Sequence, residues 1–283
     1  MVFQESVAVA QPAAGDALSL AVNLSLACFP GIDHRTAVYR AVQLGGHDAL
    51  AGQLCTDNIQ LVPQSRGLVD ESLCDELVAC LPGTRWRLHA NVRVLPERRV
   101  YDLATFDRDK AHFERAAQLS RRLRARCYSA HAGRRSDGSL ASVIDAAHRL
   151  AEWFDAPVAV EGHYPERNAH PWLISTWEEY AGLRDSGVPY ALDLSHLNIV
   201  ARNSGRVETA LTAELLAAEN CVEIHISHND GTGDWHQRLP AEGTWWWPLL
   251  VHANRNATVF SEGNLLRERR SGSAPVAAQG KEH

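Results

Sequence analysis

Six short apolar segments of this 283-residue chain each run into an acidic or imidazole side chain, in RLHANV, YSAHAG, VAVEG, ALDLSH, EIHIS and VFSEG. The residues are His89, His131, Glu161, Asp193, His225 and Glu262; His196 follows Asp193 by three, and Asp234 and His236 sit in the loop beyond His225. Oxygen and nitrogen donors without thiolate suit a hard or borderline divalent ion such as Mn, Fe, Zn or Co, and speak against copper or an iron–sulfur cluster. The strongest subset is Glu161, Asp193, His225 and Glu262, three carboxylates and an imidazole at the ends of four consecutive segments. Nine donors exceed what one ion takes, so more than one ion is expected, with His89, His131, Asp234 and His236 securing the additional ones.

Other side chains are candidates for substrate contact. Arg134 and Arg135 follow His131, and a guanidinium fork matches a carboxylate or phosphate. His163 and Tyr164 come just after Glu161. His228 could contact substrate or, with Asp230, orient His225 through the imidazole edge that faces away from an ion. In GDWH an extended segment would project Asp234 and His236 to the same side. Of the run Trp245, Trp246 and Trp247, one ring is expected in the wall of the fold and another over the site.

The elements that must position these groups alternate. Strands are expected at 19–27, 48–54, 86–94, 126–131, 157–161, 189–193, 222–227 and 257–262, and helices at 35–44, 68–80, 109–124, 139–154, 173–186, 207–218 and 245–254. In 109–124 the apolar residues Ala111, Phe113, Ala116, Ala117 and Leu119 recur at helical spacing. Strand followed by helix, repeated, is the signature of an α/β fold of the (β/α)₈ TIM-barrel type, whose active site lies at the carboxyl ends of the strands, where the nine donors fall. The competing open, doubly wound sheet is disfavoured because no Gly-rich phosphate loop follows the first strand.

Length and a 45% apolar composition fit one barrel-sized domain. We expect that domain over 18–264, between a loose segment at 1–17 and a loose tail at 265–283 that is polar and rich in Gly, Ser and Pro. A formal charge of −6 with scattered basic residues argues against a nucleic-acid partner. Six cysteines without a CxxC pair and no basic-then-apolar leader suggest a reduced, cytoplasmic protein, and no apolar run reaches the roughly 20 residues of a membrane helix.

Over 86–264 the set Glu161, ALDLSH, EIH, DWH and SEG resembles the xylose isomerase-like superfamily of sugar isomerases, epimerases and endonuclease IV. Likeness to the epimerases implies a single Mn, Co or Zn held by Glu161, Asp193, His225 and Glu262, with the two glutamates also moving the substrate proton. Likeness to endonuclease IV implies three zinc ions on all nine donors in order. The stretch from HANV to YSAHAG, the run ALDLSHLNIVARNSG and EIH followed by Asp-x-His also resemble the multinuclear non-heme iron-dependent oxidative enzymes (MNIO). That third resemblance implies two or three irons, dioxygen, a peptide or amino-acid substrate and a partner protein that delivers the peptide; Glu161, Glu262 and His196 would be catalytic. The MNIO family carries Asn where this chain has His196. Oxidative peptide modification is the leading expectation, sugar isomerisation or epimerisation by proton transfer the alternative, and phosphodiester hydrolysis the third.

Overall fold

Eight parallel strands close on themselves in the order β1-β10-β9-β8-β7-β6-β5-β4, with β1 (Val22–Ser25) paired to β10 (Thr258–Ser261) from Val22 opposite Val259. Between them run β4 (Cys55–Leu61), β5 (Arg85–His89), β6 (Tyr128–His131), β7 (Val158–Glu161), β8 (Tyr190–Asp193) and β9 (Cys221–Ile226). The structure is a computed structural model that describes residues 20–97, 99–167 and 169–266. The expected terminal segments 1–17 and 265–283 lie outside the described residues, apart from 265 and 266. Among the described residues no helix is long and apolar enough to cross a membrane.

Helices cover the barrel through apolar stripes. In α4 (Leu140–Phe154) the buried residues Val143, Ala146, Ala147, Leu150 and Phe154 recur at helical spacing. The helix starts at a capping box between Ser139 and Ser142 and stops at Asp155, whose φ of 52° takes the left-handed conformation. Phe154 stacks on Tyr128 at 4.4 Å, fixing that strand's outward face. In α3 (Lys110–Arg122) the stripe is Phe113, Ala116, Ala117 and Leu119, while Ala111 is exposed. The remaining helices are α1 (His34–Gln43), α2 (Glu71–Cys80), α5 (Trp177–Asp185), α6 (Leu194–Ser204) and α7 (Thr209–Ala217).

The barrel departs from expectation in three places. The second strand is not 48–54: those residues form a short hairpin of β2 (His47–Asp48) and β3 (Gly52–Gln53), and β4 enters the barrel. Gly45 and Gly52, both at positive φ, break an extended run there, whereas β4 carries the buried Ile59 and Leu61. An unexpected helix, α6, follows β8 without a loop, because the Asp193 carboxylate caps it by accepting from the Ser195 and His196 amides at 2.6 and 3.2 Å. The segment at 245–254 is a 3-10 turn, Trp247–His252, with Pro248 at its start; Trp246 is buried and Trp245 donates to Asn198 at 2.8 Å.

Strand alternation sends one residue in two inward. In β7 and β8 these are Ala159 and Glu161, then Ala191 and Asp193, while Val158, Val160, Tyr190 and Leu192 meet the helices. Cys127, Ala159 and Ala191 form a small apolar cluster apart from the main core. Small side chains there leave space inside the barrel for Arg87 and Glu223, which a usual aliphatic filling would exclude.

Candidate metal centre

All nine donors gather at the carboxyl mouth, and the register of the strands brings them there. β7 pairs with β6 so that His131 stands opposite Glu161, and β8 with β9 so that Asp193 stands opposite His225. Glu161 Oε2 faces His89 Nε2 at 3.4 Å and His131 Nε2 at 3.7 Å, and Glu161 Oε1 faces His225 Nδ1 at 3.2 Å. His196 Nε2 lies 3.5 Å from Asp193 Oδ2 and 3.6 Å from Asp234 Oδ2. His236 stands 2.8 Å from Asp234 and 3.7 Å from Glu262. Asp234 and His236 converge, though not through the extended segment expected: His236 has a φ of 44°, a costly conformation for a side-chain-bearing residue, and this turn brings its ring back onto Asp234.

These separations suit shared ions better than hydrogen bonds. Two donors at about 2.1 Å from one tetrahedral ion lie about 3.4 Å apart, and most of the pairs fall near that value. Glu161 Oε2 and His236 Nδ1 are buried and have no hydrogen-bond partner. Three donor triads have ligand atoms within 4.8 Å of one another: His89, Glu161 and His225; Glu161, Asp193 and His196; Asp193, His225 and Glu262. Since the triads share Glu161, Asp193 and His225, the bowl can hold one ion or several adjacent ones. A fourth triad, Asp102, His131 and His163, is as close. There the rings of His131 and His163 stack at 4.7 Å and 24°, so their in-plane lone pairs run side by side instead of converging.

The electrostatics also call for cations. Burial opposes charge on His196, yet Asp193 and Asp234 outweigh it and push the imidazole up to about 10. His236 is likewise raised to about 10 against burial, by Asp234 and Glu262, and His225 stands well above its usual range beside Glu262 and Glu161. Burial works to raise Glu161, but His89, His225 and His131 hold it well below the carboxylate range. Glu262 is pushed up to about 7 by burial, with His225 and His236 opposing and Asp193 and Glu161 adding to it. Carboxylates so crowded that imidazoles must protonate beside them are a site from which divalent ions would displace protons.

The proposed substrate contacts are placed unevenly. Arg134 lies over the Trp172 ring at 4.3 Å, and Arg135 closes onto Glu179 at 2.6 Å and the His170 carbonyl. His163 stacks between His131 and Trp172, and the Tyr164 ring sits 4.8 Å from His196 at the rim of the bowl. His228 pairs through its backbone with Gln237, and Asp230 holds Thr232 and Trp235, so neither orients His225. That task falls to residues not anticipated. Glu223 accepts from His225 Nε2 at 2.9 Å and from Gln60 at 2.9 Å, with Arg87 at 3.9 Å behind it. Ser129 meets His89 Nδ1 at 3.0 Å, and Ser25 donates to Glu262 at 3.4 Å. The signal was present in EIH: two residues apart on a strand, Glu223 and His225 share a face.

No protein-family model and no curated protein sequence matches the chain. Solved structures do. A D-tagatose 3-epimerase-like protein aligns at 13% identity over 87% of this chain and 91% of its own, with a TM-score of 0.59. An AP endonuclease of family 2 from Brucella melitensis aligns at 17% over 88% and 95%, with a TM-score of 0.57. The IOLI protein with a bound zinc atom aligns at 11% over 86% and 88%, with a TM-score of 0.55. The chain therefore has the α/β TIM-barrel fold that sugar epimerases and an AP endonuclease share.

Proposed function

We propose that this chain is a metal-dependent barrel enzyme that moves a proton between neighbouring carbons of a hydroxy-carbonyl compound, as a sugar isomerase or epimerase does. The observation that carries the reading is the placement of Glu161 and Glu262. They are buried carboxylates that flank Asp193 and His225 across four neighbouring strands. Their environments differ, one ringed by three imidazoles and the other by two with carboxylates behind. A bound divalent ion would supply Lewis-acid polarisation of the substrate oxygens. Glu161, Asp193, His225 and Glu262 would hold it. One of the two glutamates takes the carbon-bound proton; in an isomerisation it returns it to the neighbouring carbon, and in an epimerisation the other glutamate delivers a proton to the opposite face. His89 and His131 orient hydroxyl groups, and Tyr164 bounds the bowl. Likeness in fold to the epimerase structures supports this reading over the oxidative one.

A second reading is favoured by the five donors that a single ion leaves unused as ligands. His89, His131, His196, Asp234 and His236 complete a polynuclear set. Two or three irons there would suit oxidative modification of a peptide or amino acid with dioxygen, with a partner protein presenting the peptide. Three zincs would suit phosphodiester hydrolysis. Elemental analysis of chain purified without oxygen, joined to a screen of ketoses for epimerisation, separates the readings. One Mn, Co or Zn per chain with ketose turnover supports the first. Two or three irons with dioxygen uptake, or three zincs with cleavage at abasic sites, overturns it.

A further inference from the structure

The opposite end of the barrel carries a second constellation, which the reading of the carboxyl mouth does not use. Arg85 opens β5, Arg126 precedes β6 and Arg255 precedes β10, and all three are exposed. With Asn23, Asn58 and the inward-pointing Arg87 they line a cavity of about 840 Å³ at the amino-terminal mouth. Several other guanidinium groups of this acidic chain are neutralised by carboxylates: Arg35 by Glu76, Arg122 by Asp75, Arg149 by Asp107 and Arg206 by Glu178. Among the described residues Arg85, Arg126 and Arg255 have no ion-pair or hydrogen-bond partner, and no carboxylate lines the cavity.

The amides of Asn23 and Asn58 in the cavity wall are already committed. Asn23 Oδ1 accepts from the Asn58 backbone and side chain at 3.1 and 3.0 Å, while Asn23 Nδ2 donates to Val259 O at 3.2 Å. Arg87 donates to Thr258 at 2.9 Å and turns its Nε toward Glu223. The charged free donors are thus the three outer guanidinium groups, whose forks match the oxygens of a tetrahedral phosphate and whose mutual repulsion an anion between them would relieve. The volume lies in the range of small-molecule sites.

We propose that this amino-terminal cavity binds a phosphate-bearing small molecule, independently of the metal centre. Titration calorimetry on the full chain, stripped of metal with a chelator and desalted, uses inorganic phosphate, pyrophosphate and citrate as probes. Saturable binding of pyrophosphate is expected, weakened by salt and weakened at least about tenfold in the double variant R126Q/R255Q. Neither arginine makes a hydrogen bond or ion pair with another described side chain, so the thermal melt of the double variant should match the wild type; R85Q alone serves as the fallback. No saturation up to about 10 mM, a weak regime in which no useful site would remain, overturns the proposal, as does equal affinity in the variants. Citrate binding as tightly as pyrophosphate overturns the choice of phosphate.

Discussion

Glu223 is the sharpest test of how this centre is built. It does not reach the bowl, is fully buried, and accepts at 2.9 Å both from the His225 imidazole edge that faces away from Glu161 and from Gln60. Glu223→Gln preserves shape, and the amide oxygen can keep both hydrogen bonds. What changes is the charge behind His225 and the group facing Arg87 Nε at 3.9 Å, where an NH₂ donor would now oppose a donor. Partners that orient a ligating imidazole are typically worth 10–100-fold in metal affinity, or about 1.4–2.7 kcal/mol. Arg87 keeps its hydrogen bond to Thr258 but loses the countercharge behind it, which adds to the cost in stability. Competition of chelator-stripped protein against a fluorescent zinc indicator reads the first, and a thermal melt of the metal-free protein the second. An affinity within twofold of wild type in Glu223→Gln would refute the reasoning that Glu223 tunes His225.

Glu262→Gln should lower turnover by about 10²–10⁴-fold, the range for losing a general acid or base, with the far-ultraviolet circular dichroism unchanged; wild-type turnover would remove Glu262 from the chemistry. Metal binding at pH 7.5 should release on the order of one to three protons per chain, since His196, His225 and His236 are held protonated in the metal-free bowl; calorimetric enthalpies that do not vary with buffer ionisation heat would contradict this. For the metal-free protein the signs are opposite at the two ends of the pH scale. His196 and His236 are raised to about 10, so their stabilisation is complete below about 6.5 and lost as pH climbs through 10. The depressed Glu161 stabilises above its ordinary value, and this is lost as pH falls. A melting temperature that rises from pH 7 to pH 10 would contradict that sign. Gly162→Ala would place a Cβ 2.5 Å from the Tyr180 ring, whose hydroxyl donates to His163 O at 2.8 Å, and should cost about 1–3 kcal/mol in denaturant unfolding.

Seven of the eight barrel strands were legible in the sequence because each ends a run of β-forming apolar residues. The exception shows what was lacking. At 48–54 the apolar composition of DALAGQL outweighed its glycines, and the true strand, CTDNIQL, reads as polar because its inward positions, Asn58 and Gln60, serve a polar interior. The helix α6 escaped for a related reason. A strand residue that both offers a ligand oxygen and caps the next helix leaves no loop between them, and Asp193 reads as one or the other until its two oxygens are seen separately.

Six of the nine donors were legible because they stand at strand ends in sequence, but the layer beneath them was not. Gln60, Arg87 and Glu223 come from three strands; β4 and β5 pair so that Gln60 stands opposite Arg87, and only the barrel's closure sets Glu223 across from both. Spacing along one strand shows that Glu223 and His225 share a face; it does not show that the face is interior, because an exposed face would carry the same residues. The decisive facts are the small side chains of Ala159, Ala191 and Cys127, which leave room for a buried ion pair where leucine would have closed it. A barrel filled with aliphatic layers would isolate its two mouths. Here a continuous polar column, Arg87 to Glu223 to His225 to Glu161, reaches from the arginine-lined mouth to the carboxylate bowl, so the residue that orients His225 is itself held from below. The charge on Glu223 is therefore set from both ends, which is why its neutral analogue is expected to weaken metal binding without touching an ion.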